Sequence, residues 1–347
     1  MKYYCFLFLF GMLFLFFSCH DDSPKFKIDT NTGKQHYKSG DTISLEVISQ
    51  KNINIDSIIY YFDNKIIANI HGSNKLEYTP KNEKFGKKSI KALVYFRGKT
   101  EEVNTTIEMV SSIEPKLLQY QIINTYPHDI GAYTQGLEFS KGILYESTGS
   151  YGKSSVRKIE AKTGKILQQI KLEDQFFGEG LTILNDKLYQ LTWREKKGFV
   201  YDPQTLEKIE EFSFFKAIEG WGLCNDGKNL YFSDGTETIY ILDPQNMQPI
   251  DYINVYTTKT KIPRINEMEW IEEKIFANIY MQNAIAVINP KNGSVEGVID
   301  LSNLRTKVTQ HKELDVLNGI AYNPQTKTIF VTGKNWDKMF EIVLELE

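Results

Sequence analysis

The strongest constraint on this chain is a short phrase that recurs five times. It reads Gln135-Gly136-Leu137, Glu179-Gly180-Leu181, Trp221-Gly222-Leu223, Asn266-Glu267-Met268 and Asn318-Gly319-Ile320, with first residues spaced 44, 42, 45 and 52 apart. A second apolar run starts 9 residues after the phrase in four copies and 11 after it in the last: LYESTG (144–149), LYQLTW (188–193), LYFSDG (230–235), IFANIY (275–280) and IFVTGK (329–334). A third run follows, as in FVYDPQT (199–205), IYILDPQN (239–246) and IAVINPKNG (285–293), and its Asp-Pro or Asn-Pro turn leads to a fourth. Four short strands per repeat, at a period of this size, mark blades arranged around an axis. The spacing therefore predicts an all-β fold with a five-bladed β-propeller over 113–347. The last copy ends after its third run, 339–345, so residues 117–125 are expected to add its outer strand and close the ring.

The text before the repeats differs. Residues 36–112 hold short alternating runs at 43–47, 57–62, 65–70, 88–96 and 102–110, separated by turn residues such as Ser39-Gly40-Asp41 and Arg97-Gly98. This pattern predicts a small immunoglobulin-like β-sandwich, a spacer or docking module without a catalytic cluster. Pro115, within 111–116, marks the boundary. Residues 19–35 are polar and read as a tether. Ahead of them, Met1-Lys2 is followed by an apolar run from Tyr3 to Phe17 and then Ser18-Cys19. The run is short for a membrane span, which needs about 20 residues, and fits a signal peptide over 1–18. Ser18-Cys19 resembles the lipobox of bacterial lipoproteins, which implies cleavage before Cys19, lipidation of its thiol and a lipid-anchored protein of the cell envelope. Of the other cysteines, Cys5 lies in that signal and Cys224 is expected to be buried. With 41 basic against 44 acidic residues, the chain has no basic excess for nucleic acid.

First strands line the channel of a propeller, so Gln135, Glu179, Trp221, Asn266 and Asn318 should form a ring around the axis. The ends of the second strands, Gly149, Trp193, Gly235, Tyr280 and Lys334, should form a neighbouring ring. Symmetric positions filled by such different groups point to a site on the axis. A glutamate beside aromatic rings has its pKa raised by burial and can exchange a proton near neutrality. Lys334, Asn266 and an indole N–H can donate to a developing oxyanion. The inner ring holds one carboxylate, which gives weak support to glycoside hydrolysis unless Glu138 or Glu269 also turns to the axis. No Gly-x-Ser-x-Gly elbow and no HExxH spacing occurs, so neither a serine nucleophile nor a catalytic zinc is expected. Acid–base chemistry on a small polar group, or simple binding of peptide or glycan ends, is as far as these residues reach.

Over 126–347 the sequence resembles the plant and bacterial glutaminyl cyclases. The likeness runs through His128-Asp129-x-x-Ala132-Tyr133-Thr134-Gln135-Gly136-Leu137, Phe177-Gly178-Glu179-Gly180-Leu181, Gln190-Leu191-Thr192-Trp193, Gly220-Trp221-Gly222-Leu223, Asn266-Glu267-x-Glu269, Leu317-Asn318-Gly319-Ile320-Ala321 and Thr332-Gly333-Lys334-x-Trp336. The resemblance implies a metal-independent, cofactor-free, monomeric five-bladed enzyme that turns an N-terminal glutamine of peptides or proteins into pyroglutamate and releases ammonia. It implies that Glu179 is the acid/base, that Lys334 and Asn266 support catalysis, and that Tyr133, Gln135, Trp193, Trp221, Tyr280 and Asn318 hold substrate. Tyr133 stands where such enzymes usually have Phe, and Tyr280 where they commonly have Trp.

Overall fold

The alternating runs become strands at nearly the expected positions. The computed structural model describes residues 25–30 and 33–345, so the signal segment, the lipobox and Cys19 lie outside the described residues. By contact the chain divides into two units. The first takes Ser44–Leu76 and Ile90–Thr105 with the strand Phe26–Asp29. Phe26 and Phe96 meet edge to face at 4.9 Å in its core, beside buried Leu45, Val47, Ile58, Tyr60, Phe62, Ile90 and Val94. Phe26–Asp29 falls within the expected tether; it pairs antiparallel with Ile43–Ser49, a register that puts Phe26 on the apolar side. Of the described residues, the second unit takes 33–43, 77–89 and 106–345. In it Phe85, Val110 and Tyr256 pack together, Asn254 Nδ2 donates to the Phe85 carbonyl at 2.7 Å, and Tyr256 Oη donates to Glu108 at 2.9 Å. The 77–89 and 106–112 segments thus group with the propeller, on the other side of the expected division at 112.

From residue 120 the strands form five antiparallel blades of four. Their inner strands are Thr134–Ser140, Gly178–Leu184, Leu223–Asn225, Ile265–Ile271 and Leu317–Asn323. The fifth blade is completed by Tyr120–Pro127, which pairs antiparallel with Lys338–Leu344. The closing strand therefore starts slightly later than expected, because Lys116–Leu117 is used elsewhere: it pairs in parallel with Gly297 and Val298 on the fourth blade. The apolar core is five wedges, one between each pair of neighbouring blades. Tyr145 and Val156 of blade one meet Leu181 and Phe199 of blade two, and Leu184 and Val200 meet Leu223 and Phe232. Cys224 and Ile239 meet Met268 and Ala277; Phe276 and Ile285 meet Ile320 and Phe340; Phe330 and Met339 meet Leu137 and Leu144. At the axis the backbones nearly touch. A Cβ at Gly222 would overlap the Asn266 carbonyl oxygen, so the phrase needs glycine there.

Where blade five joins blade one, a buried charge cluster fastens the ring. His128 follows the closing strand. Its Nδ1 lies 2.8 Å from the Trp336 carbonyl and its Nε2 3.0 Å from Glu146 Oε1. Both neighbours are acceptors, so both ring nitrogens donate and the imidazole is charged. Glu146 also accepts from Thr134 Oγ1 at 2.8 Å and faces Arg157, which pairs with Asp129 at 2.9 Å. Burial opposes the His128 charge, but Glu146 outweighs it and its pKa rises above the ordinary value. Burial likewise opposes the Glu146 charge, but His128, Arg157 and Thr134 hold its pKa low. The histidine's contribution to stability is complete below its unfolded pKa of about 6.5 and fades as pH rises through the raised folded value. Glu146→Gln takes the carboxylate from the buried His128 cation, while Arg157 keeps Asp129, and breaking such a buried pair costs about 3–5 kcal/mol. Its melting temperature should fall by roughly 6–20 °C at pH 6. Scanning calorimetry across pH should find the gap from wild type narrowing once His128 deprotonates; a gap that is constant with pH would contradict a charged His128.

Candidate active site

Four of the five blades deliver their ring residues to the axis by the same local device. In four inner strands the pairing with the second strand slips at the first residue of the phrase: between Thr134 and Gly136, Gly178 and Leu181, Ile265 and Met268, and Leu317 and Ile320. A bulge re-aims a side chain, and here it frees Gln135, Glu179, Asn266 and Asn318 from the ladder. A second bond recurs beside it. The backbone N–H groups of Gly149, Trp193, Tyr280 and Lys334 donate to the carbonyls of Tyr133, Phe177, Arg264 and Val316 at 2.8, 3.0, 2.9 and 2.9 Å. Each acceptor lies two residues before its ring residue, so the two rings are locked to each other in these four blades.

These devices enclose a cavity of about 320 Å³ lined by Tyr133, Gln135, Phe177, Glu179, Trp193, Trp221, Asn266, Tyr280 and Lys334. Eight of the nine site residues expected from sequence meet on its wall. Asn318 does not. It stands behind Gln135, donating through Nδ2 to the Thr134 carbonyl at 2.9 Å and to Gln135 Oε1 at 3.1 Å. Phe177 is the wall residue that the ring argument missed. It sits two residues before Glu179, as Tyr133 sits two before Gln135, so the same offset in the next blade was the available signal. Phe177 packs edge-on to Tyr133 and Tyr151 and tilted against Trp193, with centroids 6.1, 5.4 and 5.5 Å away. Gly149 and Gly235 of the second ring contribute space: a Cβ on either would collide with the Phe177 or Trp221 ring.

The polar groups are ordered by one chain of hydrogen bonds. Because Gln135 Oε1 accepts from Asn318, its Nε2 faces Glu179 and donates to Oε1 at 3.0 Å. That leaves Glu179 Oε2 to carry a proton. Glu179 is 5% exposed. Burial lifts its pKa well above the carboxylate range; Lys334 counteracts this in part, while Glu219 and Glu195 add to it. Lys334 is 3% exposed, with Nζ 4.8 Å from the Tyr133 ring centroid and 5.3 Å from that of Tyr280. Burial lowers its pKa, opposed by Glu179 and Asp315. Asp315 also accepts the Tyr133 hydroxyl at 2.8 Å. Among the described residues Asn266 Oδ1 finds no hydrogen-bond partner although it is buried. The arrangement offers a protonatable carboxyl, a cation, a free amide oxygen and aromatic walls.

One expectation from sequence needs correcting. Neither indole N–H is available to an oxyanion: Trp193 Nε1 and Trp221 Nε1 both donate to Glu219 Oε2, at 2.9 and 3.0 Å. Glu138 and Glu269 are buried by their bulged strands, but they do not reach the cavity. Glu138 accepts from Thr182 Oγ1 and the Ile183 N–H, and Glu269 from the Tyr322 N–H. Burial raises the pKa of both. They join neighbouring blades, so the paired carboxylates of a glycoside hydrolase are not assembled at the pocket. Cys224 is buried in the wedge between blades three and four, and burial pushes its thiol pKa up. Among the described residues, no group of three or more His, Cys, Asp or Glu is placed to hold a metal ion.

Three comparisons bear on this geometry. A family model described as glutamine cyclotransferase matches residues 94–344. The chain is 42% identical over 233 residues to a glutaminyl-peptide cyclotransferase of Arabidopsis thaliana, covering 66% of this chain and 72% of that protein. Its fold is similar to the crystal structure of Myxococcus xanthus glutaminyl cyclase, with a TM-score of 0.63 and 33% identity over 67% of this chain and 100% of that one.

The electrostatics of the pocket can be checked without any ligand. An ordinary glutamate, with a pKa of about 4.3, is fully ionised at pH 6.5. Infrared difference spectra of wild type against Glu179→Gln should still show a protonated carboxyl band at that pH. A carboxylate band alone would mean that Glu179 is not desolvated as described.

Proposed function

The chain belongs to the glutamine cyclotransferase family, and we propose that its glutaminyl-peptide cyclotransferase activity is carried by Glu179 as proton shuttle. The observation that carries this reading is the place of Glu179 on the cavity wall, a buried carboxyl of raised pKa with one oxygen held by Gln135 and the other left for a proton. An N-terminal glutamine enters the axial cavity with its chain trailing out. Its α-amine, with a pKa of about 7.7–8.0, is neutral in an appreciable fraction of molecules near pH 7. The amine nitrogen attacks the side-chain carbonyl carbon and gives a proton to the Glu179 carboxylate. Glu179 returns that proton to the amide nitrogen as the carbon–nitrogen bond breaks. Ammonia leaves neutral, the lactam ring is closed and Glu179 is restored.

Lys334 supplies positive charge to the oxygen that becomes negative in the tetrahedral intermediate. The Asn266 oxygen accepts an N–H of the amine or of the side-chain amide. Tyr133, Phe177, Trp193, Trp221 and Tyr280 hold the chain folded for closure and exclude the water that would merely deamidate it. Asn318 acts behind the wall by fixing which way Gln135 points. The alternative of a pure binding module gives way to the family assignment, and a proton-shuttling carboxyl has no use in one.

Glu179→Gln keeps the size but cannot carry the proton. Its kcat on a Gln-led dipeptide, followed by ammonia release, should fall at least about 10²-fold with KM little changed. Lys334→Ala and Asn266→Ala should lower kcat by about 10- to 10³-fold. All three should melt like wild type. Turnover near normal in folded Glu179→Gln would remove Glu179 from the mechanism.

We also propose that the enzyme is lipid-anchored in the cell envelope through Cys19. The support is the apolar run ending at Ser18-Cys19. No helix among the described residues is long and apolar enough to cross a membrane, and acyl chains contribute about 0.8 kcal/mol per buried CH₂. Cys19→Ala should move the protein from the membrane fraction to the soluble one; unchanged partitioning would exclude the anchor.

A further inference from the structure

Behind the aromatic wall lies a carboxylate outside the cavity. Glu219 stands two residues before Trp221, the same offset that places Tyr133 and Phe177 on the wall in blades one and two. Its side chain instead turns outward and takes both indoles. One oxygen, Oε2, accepts from Trp193 Nε1 at 2.9 Å and Trp221 Nε1 at 3.0 Å. The other, Oε1, accepts from Arg194 Nε at 3.0 Å, and the Arg194 guanidinium lies 3.6 Å from the Trp193 ring centroid. The main chain joins in: the Gly220 N–H donates to the Trp193 carbonyl at 2.9 Å. Two wall residues from different blades are thus tied to a single carboxylate.

We infer that Glu219 is a positioning residue for the cyclisation: it sets the two indoles as one apolar wall and turns their N–H groups away from the substrate. The inference rests on the cyclotransferase reading. A folded glutamine side chain must meet ring faces, since an indole N–H aimed into the cavity would compete for the amide oxygen and hold water there. A wall misplaced by about 1 Å can cost 10²-fold in an oriented reaction. Glu219 does this without touching substrate. Burial would raise its own pKa, but the bonds from Trp221, Arg194 and Trp193 hold it low and keep it ionised. Its charge also reaches Glu179 through the wall. The groups around Glu179 are Lys334, Glu195, Glu219, the Gln135 amide and the hydroxyls of Tyr133 and Tyr151. Loss of the Glu219 charge makes ionisation of Glu179 easier.

Two substitutions separate wall from charge. E219A removes the acceptor for both indoles. E219Q keeps an oxygen able to accept from both but loses the charge. E219A should raise KM at least about tenfold on a Gln-led dipeptide. In the free protein it should also make the tryptophans more accessible to acrylamide, read as fluorescence quenching. E219Q should bring KM back to within about threefold of wild type and restore the quenching, while the acidic limb of its kcat/KM profile moves to lower pH. E219A with KM and quenching like wild type overturns the inference. So does E219Q with a KM as poor as E219A, which would assign the effect to charge alone. Quenching needs no turnover, so a wild-type protein that releases no ammonia would sink the cyclotransferase reading and leave the wall to be judged by quenching.

Discussion

Five inner strands meet around one axis, and none of them is laddered to another. Each is the edge of its own sheet, so its outward N–H groups are buried without a regular partner. The rest of the structure depends on how these groups are satisfied. Glu267 accepts from the Leu137 and Ile320 N–H groups at 3.2 and 2.9 Å, reaching from blade four to blades one and five. Glu138 serves Ile183, Glu269 serves Tyr322, and Asn278 accepts from Gly319. Between blades two and three the Gly180 N–H donates directly to the Trp221 carbonyl at 2.8 Å, and Asn225 Nδ2 donates to Thr182 Oγ1 at 2.7 Å. Acidic residues near the axis are thus mostly fasteners. Burial raises the pKa of Glu267 as it does that of Glu179. A raised pKa alone does not identify the proton carrier here. What distinguishes Glu179 is its place on the cavity wall.

The site occupies the stretch where this fastening gives way to bulges. Residues that slip out of register are free to point along the axis, and the repeated bond two residues upstream fixes the depth at which the second ring meets the first. Chemistry and closure are therefore built from the same ten or so positions. The phrase glycines let the backbones approach, the phrase's first residues carry the chemistry, and the carboxylates one to three residues later close the seams.

Much of this was legible because the repeat is strict. Once five copies are aligned, positions such as Glu179, Asn266 and Lys334 stand out as unlike their counterparts, and the structure brings them together. What escaped was lateral. Phe177 precedes the phrase, and its role depends on space left by Gly149 in another blade. Glu219 has the position of a wall residue but turns away, because two indoles from different blades offer it donors. Asn318 is in the ring by alignment, yet Gln135 fills the space ahead of it. Each of these depends on which neighbour wins a hydrogen bond or a volume, and a one-dimensional pattern does not contain that competition. The strand at Phe26–Asp29 was hidden for a simpler reason: four residues among polar neighbours are too short to show a period.

The closing strand has a kinetic consequence. Gln121 donates to Glu345, a partner 224 positions away along the chain, and the ladder around them is the seam of the ring. Four blades are made of local hairpins that can form as soon as their residues are available, but the fifth cannot. Until the far strand arrives, Lys338–Leu344 has an open edge and Tyr120–Pro127 has nothing to pair with. Contacts of such long sequence separation form late and slowly. A chain leaving the ribosome would hold its first propeller strand idle through the synthesis of every blade, and the active cavity would exist only after the two ends had met.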